Sequence, residues 1–412
     1  MNTKYTEVKT LWIVLFIIVF GLLLYFPYLG IKEFEGEEAR RVFIALEMLE
    51  KKEFLIPKIF DTPYFNKPPL FNWILAFVFY FTKNHSEFIA RATSAILIIG
   101  NSIFLSIIWY KILIYTSLYE IIKNKNILEK FIIFSFPGLI FQTIPEIIDK
   151  AIKAEIESIY ILVISLALFS WFYLYEILKK KILASIISGI FLGLGILTKT
   201  FHAIVFFYVS VLPFLIFQKR LREIFSVSQI LTILIFLNIF LIWAILVNFS
   251  GITFIEFIKA WIVQYKTTII TPEKNFFHHF KSYTLGTLSG FFPWLFFLIF
   301  YKNKELKSFI KKNKELYKLC LFSFFLFSFS FLLHFLLPNA KLRYIAPSIS
   351  GFTYLVSITI LWHIINKKNL YFVNQIFLLL FPILFLILLI VFIIFLWTKN
   401  LFLVKSIYFF IF

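Results

Sequence analysis

Cysteine is almost missing from this chain, and acids are scarce. Its 412 residues hold one cysteine, two methionines and 12 glycines, with 22 Asp and Glu against 41 Lys and Arg. Cys320 cannot form an intrachain disulfide, and no Cys/His zinc pattern surrounds it. Set in an apolar run, it reads as a small buried hydrophobe. The six histidines show no HxxxH spacing, which excludes that metal-binding helix. No repeat and no long polar segment is visible, so neither a solenoid nor a separate soluble domain is expected. A single membrane domain over 1–412, without a C-terminal soluble domain, is the expectation. What fills the chain is apolar: 61% is hydrophobic, 21% is aromatic, Phe occurs 59 times and mean hydropathy is +0.91. A soluble domain sits near half apolar, so the composition is that of a membrane protein.

The net charge of +19 raises nucleic acid as a partner, but the placement of the bases excludes it. They cluster in short loops between apolar spans, at Lys123–Lys130, Lys179–Lys181, Lys219–Arg222, Lys302–Lys318 and Lys367–Lys368. That is the positive-inside pattern. A span needs about twenty apolar residues. Candidates lie near 11–29, 88–115, 131–145, 158–178, 182–198, 201–217, 228–248, 284–300, 319–337, 344–365 and 371–397. The fold class is therefore all-α and polytopic, with about 11 transmembrane helices. The N-terminus has a basic start and no small-residue cleavage site, so it reads as a first span with a cytoplasmic N-terminus. Residues 302–318 read as a cytoplasmic connecting helix.

The opposite loops, 30–87, 146–157, 248–283 and 338–343, mix acids, bases, aromatics and prolines. Residues 30–87 are the densest. From Glu37 onward Ala39, Val42, Phe43, Leu46 and Leu49 recur at helical steps, which predicts an amphipathic interfacial helix with that apolar face. Glu37 pairs with Arg40 at i,i+3 and with Arg41 at i,i+4. A second short helix is expected to start at Pro68, since proline suits a first helical turn. Lys67 then stands before a helix N-terminus at headgroup depth, where a phosphate is favoured. A snorkelling interfacial lysine is the plainer reading of the same pattern.

The run "EEAR … ALEML … IP … YFNKPPLFNW" resembles the first periplasmic loop of the membrane-embedded GT-C glycosyltransferases. It is nearest the branch with the lipid A aminoarabinose transferases and the bacterial relatives of protein O-mannosyltransferases. Further landmarks follow in order: "AIKAEIESIYILVISLALF", "GLGILTKTFHAIVF", "NFFHHFKSYTLGTLSGFFPWLFF" and "KLRYIAPSISG". The resemblance implies transfer of a sugar from a polyprenyl (undecaprenyl) phosphate donor to a lipid A, glycolipid or protein acceptor. Inversion would occur at the outer, periplasmic face of the inner membrane.

Carried onto these positions, Glu37 and Glu157 are the catalytic carboxylates, with Glu35 and Glu155 as second choices for them. Arg40, Lys67, Lys199, Arg343, Tyr64 and Tyr344 are donor-phosphate ligands; Arg343 and Lys341 flank a short outer loop, where one or the other reads as a plain anchor. Glu38, Glu155, His278 and His279 bind or orient the acceptor. On helical spacing alone, Glu157 is also a partner for Lys153. No cofactor is implied; a divalent metal at the histidine pair stays open. The rival reading is a lipid flippase or transporter, which calls for charges in mid-span and two related halves.

Overall fold

The computed structural model describes residues 10–269, 276–337 and 340–366. Helix dominates them. In chain order the helices are α1 (Thr10–Tyr25), α2 (Glu37–Lys51), α3 (Leu70–Thr82), α4 (Glu87–Ile114), α5 (Leu118–Lys123), α6 (Ile127–Thr143), α7 (Pro145–Ala151) and α8 (Glu157–Trp171). Then follow α9 (Lys181–Lys199), α10 (His202–Phe217), α11 (Val227–Phe249), α12 (Phe254–Ile269), α13 (Phe276–Phe291), α14 (Lys304–Lys312), α15 (Lys314–Phe335) and α16 (Ile349–Ile365). The chain divides into a large unit, Met1–Ile360, and a second, Leu361–Phe412. Of the second unit the described part is the end of α16 and Asn366.

Among the described residues six helical spans are long and apolar enough to cross a bilayer, and eight if each of two bent pairs counts as one. Shorter apolar helices are α1, α3 and α10. Two expected spans are bent pairs rather than single helices. The segment near 131–145 becomes α6 and α7, bent by 72°. Pro145 opens the second of them, where its missing N–H leaves no helical bond unmade. The segment near 284–300 is α13 followed by a 3₁₀ stretch, Trp294–Lys302, at 98°. The expected 371–397 span lies outside the described residues. The connecting helix expected over 302–318 breaks at Asn313, whose extended backbone separates α14 from α15.

The first outer loop is a knit unit. α2 begins at Glu37 as its pattern predicts. Its buried face is different, however: Glu38, Arg41, Val42, Ile44, Ala45, Glu47 and Met48 turn inward. Ala39 is exposed, and Phe43, Leu46 and Leu49 are half-buried. An apolar stripe marks a core in a soluble helix; at a bilayer it is free to face lipid while polar groups face the protein. A two-residue hairpin follows, β1 (Lys58–Ile59) against β2 (Thr62–Pro63). Its turn residues Phe60 and Asp61 both have positive φ, as a type I′ turn requires. The Glu47 carboxylate accepts both of their N–H groups, at 3.0 and 2.8 Å. The Asn72 side chain of α3 donates to the Arg41 carbonyl at 2.9 Å. Pro68 and Pro69 are buried ahead of α3, with Pro69 at its cap rather than Pro68 in its first turn.

Behind this loop α9 packs closely on α8 and α11. Gly189 and Gly193, one turn apart, make the α9–α11 approach possible. A Cβ at either would sit 2.8 Å from Ile235 or Ile239. Small residues at four-residue spacing are the usual device for close helices in a bilayer.

Candidate active site

The ends of several helices meet at one end of the bundle. α9 finishes at Lys199 and α8 starts at Glu157, whose carboxylate accepts from the Lys199 ammonium at 3.1 Å. The 3₁₀ turn Leu342–Ser348 brings Arg343 and Tyr344 beside them. Arg343 Nε lies 3.7 Å from Glu157 and Arg343 Nη1 lies 3.7 Å from Glu155. The Lys199 ammonium also sits over the rings of Tyr160 and Tyr344, at 5.3 and 5.0 Å. A cavity of about 350 Å³ opens here. Lys67, Lys199, Gln264, His202, His334 and Tyr344 give it polar walls, and Val205, Trp261, Leu333 and Leu337 give it apolar ones.

Lys67 reaches in from the loop before α3. Its ammonium donates to a neutral group, the Gln264 side-chain carbonyl of α12, at 3.1 Å. Burial, followed by the nearby charges of Lys199 and Arg41, pulls its ammonium down to about 7. Arg41 is buried, and its Nη1 has no acceptor; Arg343 Nε likewise lacks one. Buried donors in a folded protein are normally paired. Arg41 and Arg343 thus lie near enough to Lys67 for their charges to act on its ammonium, and each keeps a donor unspent.

Arg40, like Arg41 and Arg343, does not line the cavity itself. It is held by Glu37 through both carboxylate oxygens, at 2.9 and 3.0 Å, and lies more exposed than Arg41. Glu37 also accepts from Arg41 at 3.2 Å. Tyr64 lies beneath the two arginines, 5.6 and 5.5 Å from their guanidinium carbons. Glu37 keeps 35% of its side chain open to solvent, whereas Glu157 keeps 5%. Lys153 pairs with Asp149 at 2.6 Å rather than with Glu157. Burial and the neighbouring Glu157 charge both raise the Glu155 carboxyl.

Glu38 is placed as a clasp, not as an open acceptor-binding group. It is buried, and both oxygens take bonds from Arg91, at 2.8 and 2.9 Å. It also accepts from the backbone N–H of Ala154 at 2.8 Å and of Glu35 at 3.0 Å. Burial alone would raise this carboxyl, but the Arg91 and backbone bonds outweigh it and hold it below the usual range. Arg91 completes its own set on the carbonyls of Leu29, Lys32 and Glu33. The clasp ties the start of α2 to α4 and to the loop carrying Glu155 and Glu157. Glu35 is exposed and pairs with Lys32.

His278 is exposed and His279 is buried beside Tyr283, with its Nε2 unpartnered. Neither lines the cavity. Among the described residues no group of three or more His, Cys, Asp or Glu side chains is arranged to hold a metal ion. Two other histidines do reach the cavity. His334 Nδ1 donates to the Ser330 carbonyl at 2.8 Å. Its Nε2 is then free to accept from His202 Nε2 at 3.0 Å, and His202 Nδ1 accepts from the Tyr160 hydroxyl at 3.2 Å. This fixes both neutral tautomers. His202 and His334 stand 132 positions apart, so no local pattern connects them. Arg91 and Arg41 carried a weaker signal, as bases next to a cluster of acids.

This is a GT-C fold. The chain superposes on the crystal structure of ArnT from Cupriavidus metallidurans bound to undecaprenyl phosphate with a TM-score of 0.63, at 18% identity, over 85% of this chain and 60% of that one. In sequence it is similar to undecaprenyl phosphate-alpha-4-amino-4-deoxy-L-arabinose arabinosyl transferases. It is 28% identical over 222 residues to that of Wigglesworthia glossinidia brevipalpis, covering 53% of this chain and 37% of the relative. It is 23% identical over 281 residues to that of Pectobacterium carotovorum subsp. carotovorum, covering 68% and 47%. The chain thus spans less than half the length of these curated relatives. No protein-family model matches it.

Proposed function

We propose that this protein is an inverting glycosyltransferase that moves a sugar from an undecaprenyl-phosphate-linked donor to an envelope acceptor at the outer face of the inner membrane. The observation that carries the reading is the set of unsatisfied cations. Arg41 and Arg343 lie near Lys67 with donors unspent, beside a cavity with apolar walls. A phosphate on a lipid chain supplies what both halves lack. The relatives similar in sequence are undecaprenyl phosphate-aminoarabinose arabinosyl transferases, which supports the same reading.

The acceptor hydroxyl attacks the anomeric carbon as the bond from that carbon to the phosphate oxygen breaks. Glu37 takes the hydroxyl proton; it is the site's open carboxylate, whereas Glu157 is sequestered. Lys67, Lys199 and Arg343 stabilise the negative charge left on the phosphate. Glu157 holds Lys199 and Arg343 in position, and Tyr344 packs against both cations. Arg40 and Arg41 hold the carboxylate of Glu37, and Tyr64 packs against both guanidinium groups. Glu155, with its raised pKa, is the second choice as base. His279 and His278 lie on the acceptor side. The site faces outward, because α9, α10 and α15 each have a lysine- or arginine-rich end opposite the site, the end the positive-inside rule keeps in the cytoplasm.

Transfer from an undecaprenyl-phosphate-linked sugar in lipid nanodiscs tests this. Glu37→Gln and Lys67→Ala are each expected to lose about 100-fold or more in rate, the scale of removing a charge-stabilising group. The melting temperature should be unchanged. Full transfer by both variants would overturn the site.

A further inference from the structure

A second cavity lies far from the first, toward the opposite end of α15. It also measures about 350 Å³. Its walls are Leu298, Ile310, Leu321, Phe324, Phe327 and Leu355, with Tyr301 and Cys320 at its side. From Cys320 to His334 the helix rises about 21 Å, so the crevice is clear of the active-site cavity. α14 forms its roof. That helix turns Leu306 and Ile310 inward and leaves Lys307 and Lys311, one turn apart, exposed at the rim.

Neither lysine has an acidic partner among the described residues, and the sequence offers few. Residues 302–318 hold seven lysines against Glu305 and Glu315. Lys318 is already spent on the buried Glu176, at 3.0 Å. Glu315 is the last acid in the sequence, so the 97 residues beyond it supply none. An apolar slot with two unpaired ammoniums at its mouth is complementary to one class of molecule. Basic pockets between transmembrane helices bind anionic lipid headgroups.

We propose that this crevice is a binding site for an anionic phospholipid. One acyl chain lies between α15 and the Trp294–Lys302 turn, and the phosphate rests between Lys307 and Lys311. The site is independent of the glycosyltransferase reading.

The test is photolabelling of the full chain in phosphatidylcholine vesicles. The probe is phosphatidylglycerol with a diazirine on its acyl chain. The expected result is adducts on α15 between Tyr317 and Ser328, competed by unlabelled phosphatidylglycerol at least about tenfold better than by phosphatidylcholine. Lys307→Ala with Lys311→Ala should cut that labelling by about tenfold, since both side chains are exposed and the fold does not depend on them. Equal competition by phosphatidylcholine overturns the proposal. So does undiminished labelling of the double variant at an unchanged melting temperature, or a lack of adducts on this stretch.

Discussion

Lys67 shows what one residue can and cannot reveal. Its type and its Pro-Pro neighbours were readable; its electrostatic state was not, because it is set first by burial in the fold and then by the charges of Lys199 and Arg41. With an ammonium near 7, Lys67 gains its proton as pH falls through neutrality and loses it as pH rises. A phosphodiester carries constant charge over that range. Binding of a polyprenyl phosphodiester should therefore weaken from pH 6 to pH 8, with proton uptake on binding, and Lys67→Arg should flatten the profile. Isothermal titration in buffers of different ionisation enthalpy reads both. Glu157 carries the same lesson. Helical spacing offered Lys153 as a partner, yet the fold delivers Lys199, from 42 positions away.

At the scale of elements, the start of α2 was legible to the residue, and its buried face was not. Periodicity finds the stripe, but a bilayer removes the rule that says which way the stripe turns. The face that turns inward carries Glu38, whose carboxylate pairs with Arg91 of α4 and accepts from the Ala154 N–H of the second outer loop. Removing one partner of a buried ion pair costs roughly 3–5 kcal/mol. Arg91→Met should therefore lower stability by about 3 kcal/mol in a denaturation series. Transfer should fall with it, through disorder at Glu37 and Glu157. α9 depends on its glycines in another way. Gly193→Leu would drive a side chain into Ile239, and its cost of roughly 1–3 kcal/mol should appear as a lower melting temperature. Lys199 sits at the end of that same helix, so donor affinity should drop too.

For the whole molecule, hydropathy located most spans and misjudged where bends fall. Pro137 and Gly138 sit inside unbroken α6, and the 72° bend falls instead at the junction with α7, which Pro145 opens. The ordered landmarks from Glu37 to Tyr344 made the GT-C fold legible, because an ordered set is far more specific than any one motif. The His202–His334 pair left no such trace. Orientation makes a further prediction, with Cys320→Ser as background. Asp61→Cys should react with an impermeant maleimide on intact cells, and Lys307→Cys only after permeabilisation.

The account stands on phosphate recognition by cations that keep hydrogen-bonding capacity beyond their protein partners. Its most direct measurement is equilibrium binding of undecaprenyl phosphate in nanodiscs, set against the uncharged polyprenyl alcohol, for wild type and Lys67→Ala. Loss of one charge-assisted contact should weaken phosphate binding at least about tenfold. The alcohol should bind poorly to both proteins. Equal binding of alcohol and phosphate, or an unchanged affinity in Lys67→Ala, would contradict the account.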